Sequence, residues 1–326
     1  ILSLTQRMAN AGFIPLTQSQ LATMNTLSPR GLLSNLSVTL TGQEKAASPL
    51  EALSGPIQKL SLRANTEGGA VDSLGAIPML DGVTGYLEIE YDVETQSASG
   101  FAEIDTPSLQ MNLPNIYTRD WSYDYVNGRI DFLSLFNAGL DLRLSSNTVV
   151  AESESTKGRV QFSSHLVRPL EGVPESTIEL LIGVEQMSAD DRYYYLPDGP
   201  RIESGLKTTM SWVGGAALGG TFFDSGAIFR GSTLPGADPA TKTFQSFYRL
   251  RDGTIRYADG WPVIEEVEAF VATADNLIDV VVTAGQSHGL QLSGAKGSVR
   301  PDIDEDGELR NKLVVEGGAA GLTQQA

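Results

Sequence analysis

The sequence predicts a mainly β protein, a long antiparallel meander of strands with a few short helices. Aliphatic residues alternate with polar ones in run after run, and clusters of Gly, Asn, Ser and Pro separate the runs. Successive side chains of a strand point to opposite faces of a sheet, so each run has one apolar and one polar side. The function of the chain therefore depends on what the apolar sides meet.

Composition and charge limit the classes of function. The chain has 326 residues, of which 41% are hydrophobic, so it can bury a sizeable core. Its formal net charge is −17 and its pI is about 4.5. Proteins that bind nucleic acid need clustered Lys and Arg, so we expect no nucleic-acid partner. The absence of cysteine excludes disulfides, thiolate chemistry and cysteine-based zinc sites.

We interpret residues 1–326 as one continuous segment with four sub-parts. Residues 1–27 form two short helices, because Leu4, Met8 and Ala11, and then Leu21 and Met24, follow helical spacing. Residues 28–197 form a first β-unit, which opens after a Pro-Gly turn at 29–31.

A second helix is predicted over 198–220, with its most regular part near 200–218. Ile202, Leu206, Met210, Val213 and Ala217 recur at helical spacing, and two glycines at 219–220 provide a stop signal. Residues 221–326 then form a second β-unit. Within the first unit the alternating runs lie near 34–41, 58–64, 85–94, 101–105, 109–113, 129–135, 139–145, 148–153, 158–167 and 177–185.

The apolar positions of these runs are candidates for one shared surface. They are Leu36, Val38, Leu40, Leu60, Leu62, Leu87, Ile89, Tyr91, Val93, Leu109, Met111, Leu113, Leu140, Leu142, Leu144, Ile178, Leu180, Ile182, Val280, Val282, Leu290 and Leu292. From periodicity alone they have two possible fates. They close on one another as the core of a β-sandwich, or they remain accessible along an open face.

Three motifs that imitate chemical sites have simpler explanations. The string from Asp302 to Gly307 resembles the start of an EF-hand loop, but Leu313 stands where a bidentate Glu is required, so we interpret it as an acidic hairpin turn. His165 and His288 have no flanking motif for a triad or a metal. The paired glycines at 214–215 and 219–220 do not follow a phosphate-binding pattern. We therefore predict no catalytic residue, no metal and no cofactor.

Several short strings, in order, carry a family resemblance. They are Ser28-Pro29-Arg30-Gly31 entering a strand, Tyr195-Leu196-Pro197 before a helix that contains Met210-Ser211-Trp212, Gly226 followed by Ile228 and Phe229, and Trp261-Pro262 ahead of the last strands. With this order and spacing the chain resembles the YhdP family, a group of AsmA-like envelope proteins. The resemblance covers almost the whole chain.

The resemblance implies a fold and a function. Members of the family are long Gram-negative envelope proteins with an N-terminal inner-membrane anchor and a periplasmic body rolled into an open β-groove, and they are implicated in moving phospholipid toward the outer membrane. The chain would then be an internal or C-terminal section of such a body, in the periplasm, without the anchor. Its partners would be phospholipid acyl chains, and membrane components reached through other parts of the protein.

Two hypotheses from different classes remain open at this point. In the first, the apolar side of a curved sheet lines an elongated groove and carries lipid, with the 198–220 helix as a plug or brace. Arg63, Arg129, Arg143 and Arg159 are then candidates to offset headgroup charge, although isolated arginines are also ordinary surface residues. In the second, a closed β-core forms an envelope scaffold that binds protein or polysaccharide on its polar surface.

Overall fold

A computed structural model of the chain describes residues 24–42, 57–74, 77–200, 202, 207, 211, 213–234, 236–256, 259–275, 277–303, 309–317 and 319–322. In this part of the chain the backbone forms one antiparallel sheet of nineteen strands. The mainly β fold predicted from the alternation is thus confirmed.

The strands follow one another along the chain with few interruptions. The first nine are β1 (Arg30–Thr41), β2 (Lys59–Val71), β3 (Met79–Asp92), β4 (Ser97–Thr106), β5 (Leu109–Asn112), β6 (Trp121–Tyr123), β7 (Tyr125–Leu135), β8 (Gly139–Ser146) and β9 (Val149–Glu152). The others are β10 (Thr156–Pro169), β11 (Glu175–Ser188), β12 (Ala217–Ser232), β13 (Thr243–Ile255), β14 (Ile264–Ala274), β15 (Leu277–Ser287), β16 (Leu290–Ser293), β17 (Ala295–Ile303), β18 (Leu309–Glu316) and β19 (Ala319–Leu322).

The nineteen strands occupy fourteen successive positions in the sheet. Five pairs of short strands share a position each, namely β4 with β5, β6 with β7, β8 with β9, β16 with β17, and β18 with β19. Each interior position pairs with the position before it and the position after it in the chain. At about 4.8 Å per strand, fourteen positions extend about 60 Å across the sheet.

The sheet does not close into a ring within the described residues. There, β1 pairs with β2 alone, and β18 pairs with β17 alone. Because neighbouring strands are antiparallel, their connections alternate between two rims. Rim A carries the connections 72–78, 113–120, 153–155, 189–216, 256–263 and 288–289, and rim B carries those between the other neighbours.

Helical structure is short and lies outside the sheet. A 3-10 turn (Ala189–Asp191) leads into a one-turn α-helix (Arg192–Tyr195), and a second 3-10 turn covers Pro239–Thr241. Residues 24–27 and 213–216 are helical too. Residues 1–23 of the first predicted helical region, and 201, 203–206, 208–210 and 212 of the second, lie outside the described residues. β12 begins at Ala217, directly after the helical residues 213–216, so Gly219 and Gly220 lie inside a strand and the helix ends before them.

Closely packed core is confined to two small clusters in the described residues. The first contains Ile104, Leu109, Val126 and Val149, where β4 to β9 are interrupted. The second contains Leu250, Val267 and Ala269, where bulges shift the register of β13 and β14. In both places an irregular backbone brings side chains from neighbouring strands into closer packing than the regular sheet does.

Candidate functional site

The strand register places the predicted apolar residues on one face of the sheet, called here the apolar face. Residues opposite one another in a ladder point to the same side. Three rows of opposed residues cross the first half. The first row is Val38, Leu62, Ile89, Gly100, Phe132, Leu144, Ser164, Ile178 and Gly231; the second is Leu40, Leu60, Tyr91, Ala98, Ser134, Leu142, Leu166 and Ser176; the third is Ala64, Leu87, Ala102, Ile130 and Ser146.

The same face continues through the second half of the sheet. Its rows there are Val160, Ile182, Ala227, Ser246, Thr273, Ile278, Val299 and Leu313; then Phe162, Leu180, Phe229 and Phe244; then Tyr248, Val271, Val280, Gly297 and Val315; and last Leu250, Ala269, Val282 and Ala295. A continuous apolar track therefore links β1 to β18. These rows contain no Asp, Glu, Lys or Arg.

The remaining predicted residues lie at or near the ends of these rows. Leu140 of β8 stands opposite Arg168 of β10, at the rim B end of the apolar face. On β5, Leu109 and Met111 stand opposite Tyr123 and Trp121. Leu290 and Leu292 of β16 stand opposite Ser287 and Gly285. Three further candidates lie outside the paired positions of the ladders: Leu36 lies in β1, Val93 directly follows β3, and Leu113 directly follows β5.

Most large side chains of the apolar face are half-buried, whereas a closed core would bury them; Leu250, which belongs to the second core cluster, is an exception. Of the twenty-two predicted residues, Leu109 alone is buried, at 6% exposure. Val38 keeps 39% of its surface exposed and Ile182 keeps 40%. Neighbouring strands thus cover the flanks of these side chains and leave their tips accessible.

Polar atoms on this face are small hydroxyls, and most are hydrogen-bonded within the sheet. The hydroxyls of Ser176 and Thr233 share one bond, and those of Ser246 and Thr273 share another. Ser146 accepts a bond from the Phe162 amide. Ser134 is an exception, since its buried hydroxyl has no partner. The rows of this face are therefore uncharged and offer few free polar groups, and Arg168 lies beyond them, at the rim B end of β10.

The opposite face of the sheet carries most of the charges, and they pair both across strands and along them. Arg63 binds Glu88 at 2.9 Å, and Arg129 binds Asp131 at 2.7 Å. Arg143 lies 3.5 Å from Asp141. The register puts these residues between the apolar positions, on the other side of the backbone. Three of the four predicted headgroup arginines are therefore engaged on the polar face.

Two connections on rim A meet and form a strap, defined as residues 113–121 and 189–199. The Ile116 carbonyl accepts bonds from the amides of Asp198 and Gly199, at 3.1 and 2.8 Å. The Asp198 carboxylate accepts bonds from the amide and the hydroxyl of Thr118. Trp121 donates its indole N–H to the Tyr194 carbonyl at 2.6 Å. Residues about eighty apart in the chain are thereby joined.

Aromatic rings of the strap lie in a desolvated environment. The ring of Trp121 lies 4.7 Å from that of Tyr117 and 5.5 Å from that of Tyr195. Burial raises the pKa of Tyr117 to about 12, and Tyr248 adds a smaller electrostatic contribution. Burial also raises the pKa of Tyr123, with Tyr195 as its neighbour. These phenols stay protonated at any physiological pH.

The proximity of Tyr117 to Tyr248 bears on the curvature of the sheet. Tyr117 lies in the connection before β6, whereas Tyr248 belongs to the apolar face of β13. Five strand steps separate β6 from β13, about 24 Å along a flat sheet. The electrostatic contribution of Tyr248 to the pKa of Tyr117 favours a sheet that bends beneath the strap.

Both histidines have polar neighbours. His165 lies 2.9 Å from the Asp141 carboxylate on the polar face, and His288 lies beside the Ser287 hydroxyl. Residues 304–307 of the acidic string lie outside the described residues. Elsewhere in the described chain, no three His, Cys, Asp or Glu side chains are grouped so that they could hold a metal ion.

Sequence reasoning missed much of the lining in the second half. Phe229, Phe244, Tyr248 and Val271 belong to the apolar face, although none was among the predicted residues. The segment 244–250 places Phe247 on the opposite face next to Tyr248, which hides the alternation. The strap was missed for another reason: its contacts join distant parts of the chain and leave no local pattern.

The helices of the described chain include none that is long and apolar enough to cross a membrane. The fold and the face define a class of protein built from one long antiparallel sheet, with an uncharged apolar side and a charged opposite side. A family model described as YhdP protein matches residues 2–325. The chain therefore belongs to the YhdP family. No curated protein and no solved structure matches it.

Proposed function

We propose that this chain is a section of a periplasmic, bridge-like protein that carries phospholipid between the inner and outer membranes. Acyl chains lie on the apolar face, and headgroups stay toward the rims and water. Membership of the YhdP family supports the envelope role. The observation that carries the proposal is an uncharged, half-exposed apolar track that continues through all fourteen strand positions.

The energetics favour such a track. Each methylene moved out of water contributes about 0.8 kcal/mol, so an unprotected acyl chain crosses an aqueous gap very slowly. A continuous apolar surface removes most of that cost. Charged groups in the track would trap headgroups or repel chains, and the rows of this face contain none. Movement along such a surface needs no nucleophile, base or metal.

Curvature supplies the second support for the proposal. A flat apolar sheet exposed to water on one side invites aggregation, whereas a concave one shields its ligand and its own lining. The reach of Tyr117 across to Tyr248 favours a concave apolar face, open between the rims. A width of about 60 Å is about twice the hydrocarbon thickness of a bilayer, so several acyl chains fit along it.

A matched pair of substitutions on one strand tests the proposal. Leu180 stands on the apolar face between Phe162 and Phe229, while its neighbour Leu181 points to the opposite face and is 48% exposed. We expect Leu180→Asp to remove co-purifying phospholipid without unfolding the protein, because water can reach the new carboxylate from the open side. We expect Leu181→Asp to leave lipid content unchanged. Native mass spectrometry with lipid extraction measures the occupancy, and circular dichroism measures the fold.

The same pair separates the transport proposal from the closed-scaffold hypothesis. If Leu180 faced a sealed core, Leu180→Asp would unfold the protein and the wild type would hold no lipid. If both variants lost lipid equally, the ligand would not lie on the apolar face. Either result would contradict the proposal.

A further inference from the structure

The strap on rim A occupies a stretch of the surface that the proposed function assigns to lipid. Trp121 lies on β6 opposite Met111, and its ring lies against those of Tyr117 and Tyr195. Burial raises the pKa of Tyr117. An acyl chain on this part of the apolar face would compete with these rings for the same apolar side chains. Rings of the protein itself thus stand where the ligand is expected.

The strap is held by contacts that can break without disturbing the sheet. Thr118, Trp121, Tyr194 and Asp198 make its cross-connection bonds, and all four residues lie in the connections or at the first residue of β6. Among the described residues, these bonds form no part of a strand ladder. Opening the strap would therefore cost a few polar bonds and some aromatic burial, while every strand pair stays intact.

Each half of the strap is also anchored to the sheet, so the halves could separate and come together again. Asp191 accepts a bond from Ser155 in the β9–β10 turn, and Arg192 donates to the Gly214 carbonyl at 2.6 Å. Residues 113–121 are tethered at both ends by β5 and β6. Each half thus stays attached to its own strands when the contacts between the halves are broken.

We propose that the strap is a gate: closed, it excludes lipid from the apolar face beneath it, and open, it admits lipid to that stretch. This inference rests on the proposed transport function.

The absence of cysteine in the chain makes the gate directly testable with introduced thiols. Thr118→Cys and Asp198→Cys together place two thiols across the strap, and dibromobimane bridges them. Val271, opposite Tyr248 on the apolar face, reports the covered stretch when it is replaced by the photocrosslinker benzoyl-phenylalanine. The same photocrosslinker at Leu62 on β2 reports a stretch away from the strap. Phosphatidylglycerol vesicles supply the lipid, and mass spectrometry counts the adducts.

We expect the bridged protein to lose at least ten-fold of its lipid adducts at Val271 and to keep those at Leu62. Single-cysteine variants treated with the same reagent serve as controls. A second variant needs no cysteine: Trp121→Phe removes the bond to Tyr194 and keeps an aromatic ring. Loss of one hydrogen bond should raise adducts at Val271 about five-fold, with no change at Leu62.

Equal labelling at Val271 in the bridged, unbridged and Trp121→Phe proteins would overturn the gate and leave the transport proposal standing, since lipid would then pass beneath the strap. No lipid adduct at Leu62 or Val271 in any protein, the otherwise unsubstituted chain included, would instead count against the transport proposal itself.

Discussion

Two glycines on adjacent strands set how closely β3 and β4 approach. A Cβ atom at Gly100 would lie 2.0 Å from the Glu88 carbonyl oxygen, and one at Gly85 would lie 1.9 Å from that of Glu103. Both obstacles are backbone atoms, which cannot rotate away. Glycine is therefore required at these points by the spacing of the strands, and Gly100 also leaves a gap in the apolar face between Ile89 and Phe132.

We expect Gly100→Ala to lower the free energy of unfolding by about 1–3 kcal/mol, because the strands must separate to accept the methyl group. Urea unfolding followed by circular dichroism measures the change. Gly297→Ala is the control, since a Cβ atom added at Gly297 would have the Val280 Cβ as its nearest heavy atom, at 4.0 Å. A Gly297→Ala loss as large as that of Gly100→Ala would show that strand spacing is not the cause.

At the scale of the element, local pattern predicted the strands and long-range pairing decided their arrangement. The alternation around Val38, Ile89 and Leu142 gave strands at β1, β3 and β8, because one polar and one apolar side suffice to define a half-buried strand. Register and strand order come from contacts between distant residues, which alternation does not encode. The meander was nonetheless predictable, since its turns are short and punctuated by Gly and Asn.

The boundary of β12 shows where local pattern misleads. Apolar spacing through Ala217 and the following glycines resembles the end of a helix. In the structure Gly220 has a φ of +113° inside β12, and a Cβ there would lie 2.7 Å from the Cα of Gly253. The glycine serves a close approach of two strands next to a register shift. Sequence alone does not distinguish that role from a helix stop.

Two valines on neighbouring strands test whether the apolar face is open. Val267 is 1% exposed in a packed cluster, whereas Val280 is half-buried in the middle of the face. We expect Val267→Ala to cost about 1–3 kcal/mol of unfolding free energy and Val280→Ala less than about 1 kcal/mol, since an open face has no cavity to create. Chemical denaturation of lipid-free protein measures both. Equal costs would indicate a sealed core and favour the scaffold hypothesis.

At the scale of the molecule, the sheet separates charge from apolar surface along its whole width. In the described strands, most charged side chains lie on the polar face, where cross-strand pairs such as Arg230 with Glu179 and Arg300 with Asp279 neutralise part of the net charge of −17. The polar face keeps the protein dispersed in water while the apolar face is free to bind lipid. Period-two alternation is the physical means of this separation, since it assigns each neighbouring residue to one environment.

A crosslinking scan across the sheet tests the continuity of the track. Benzoyl-phenylalanine at Val38, Ile89, Leu142, Leu180 or Val280 samples β1, β3, β8, β11 and β15 on the apolar face. We expect lipid adducts at all five positions, because no charged residue interrupts the rows between them. The matched positions one residue further along each strand are Thr39, Glu90, Arg143, Leu181 and Val281.

These matched positions point to the polar face, so we expect adducts there to fall to background when the full-length protein is irradiated in cells and analysed by mass spectrometry. Leu181 and Val281 are the most stringent controls, since they are apolar themselves. Adducts at these two positions as well as at the apolar-face positions would mean that lipid binds any exposed aliphatic surface. Adducts confined to one half of the face would mean that the chain holds lipid at a single binding site. Adducts at all five positions of the apolar face, and at none of the matched positions, would show that lipid occupies a continuous track. We expect this result because the strand register keeps the apolar residues on one face through all fourteen strand positions.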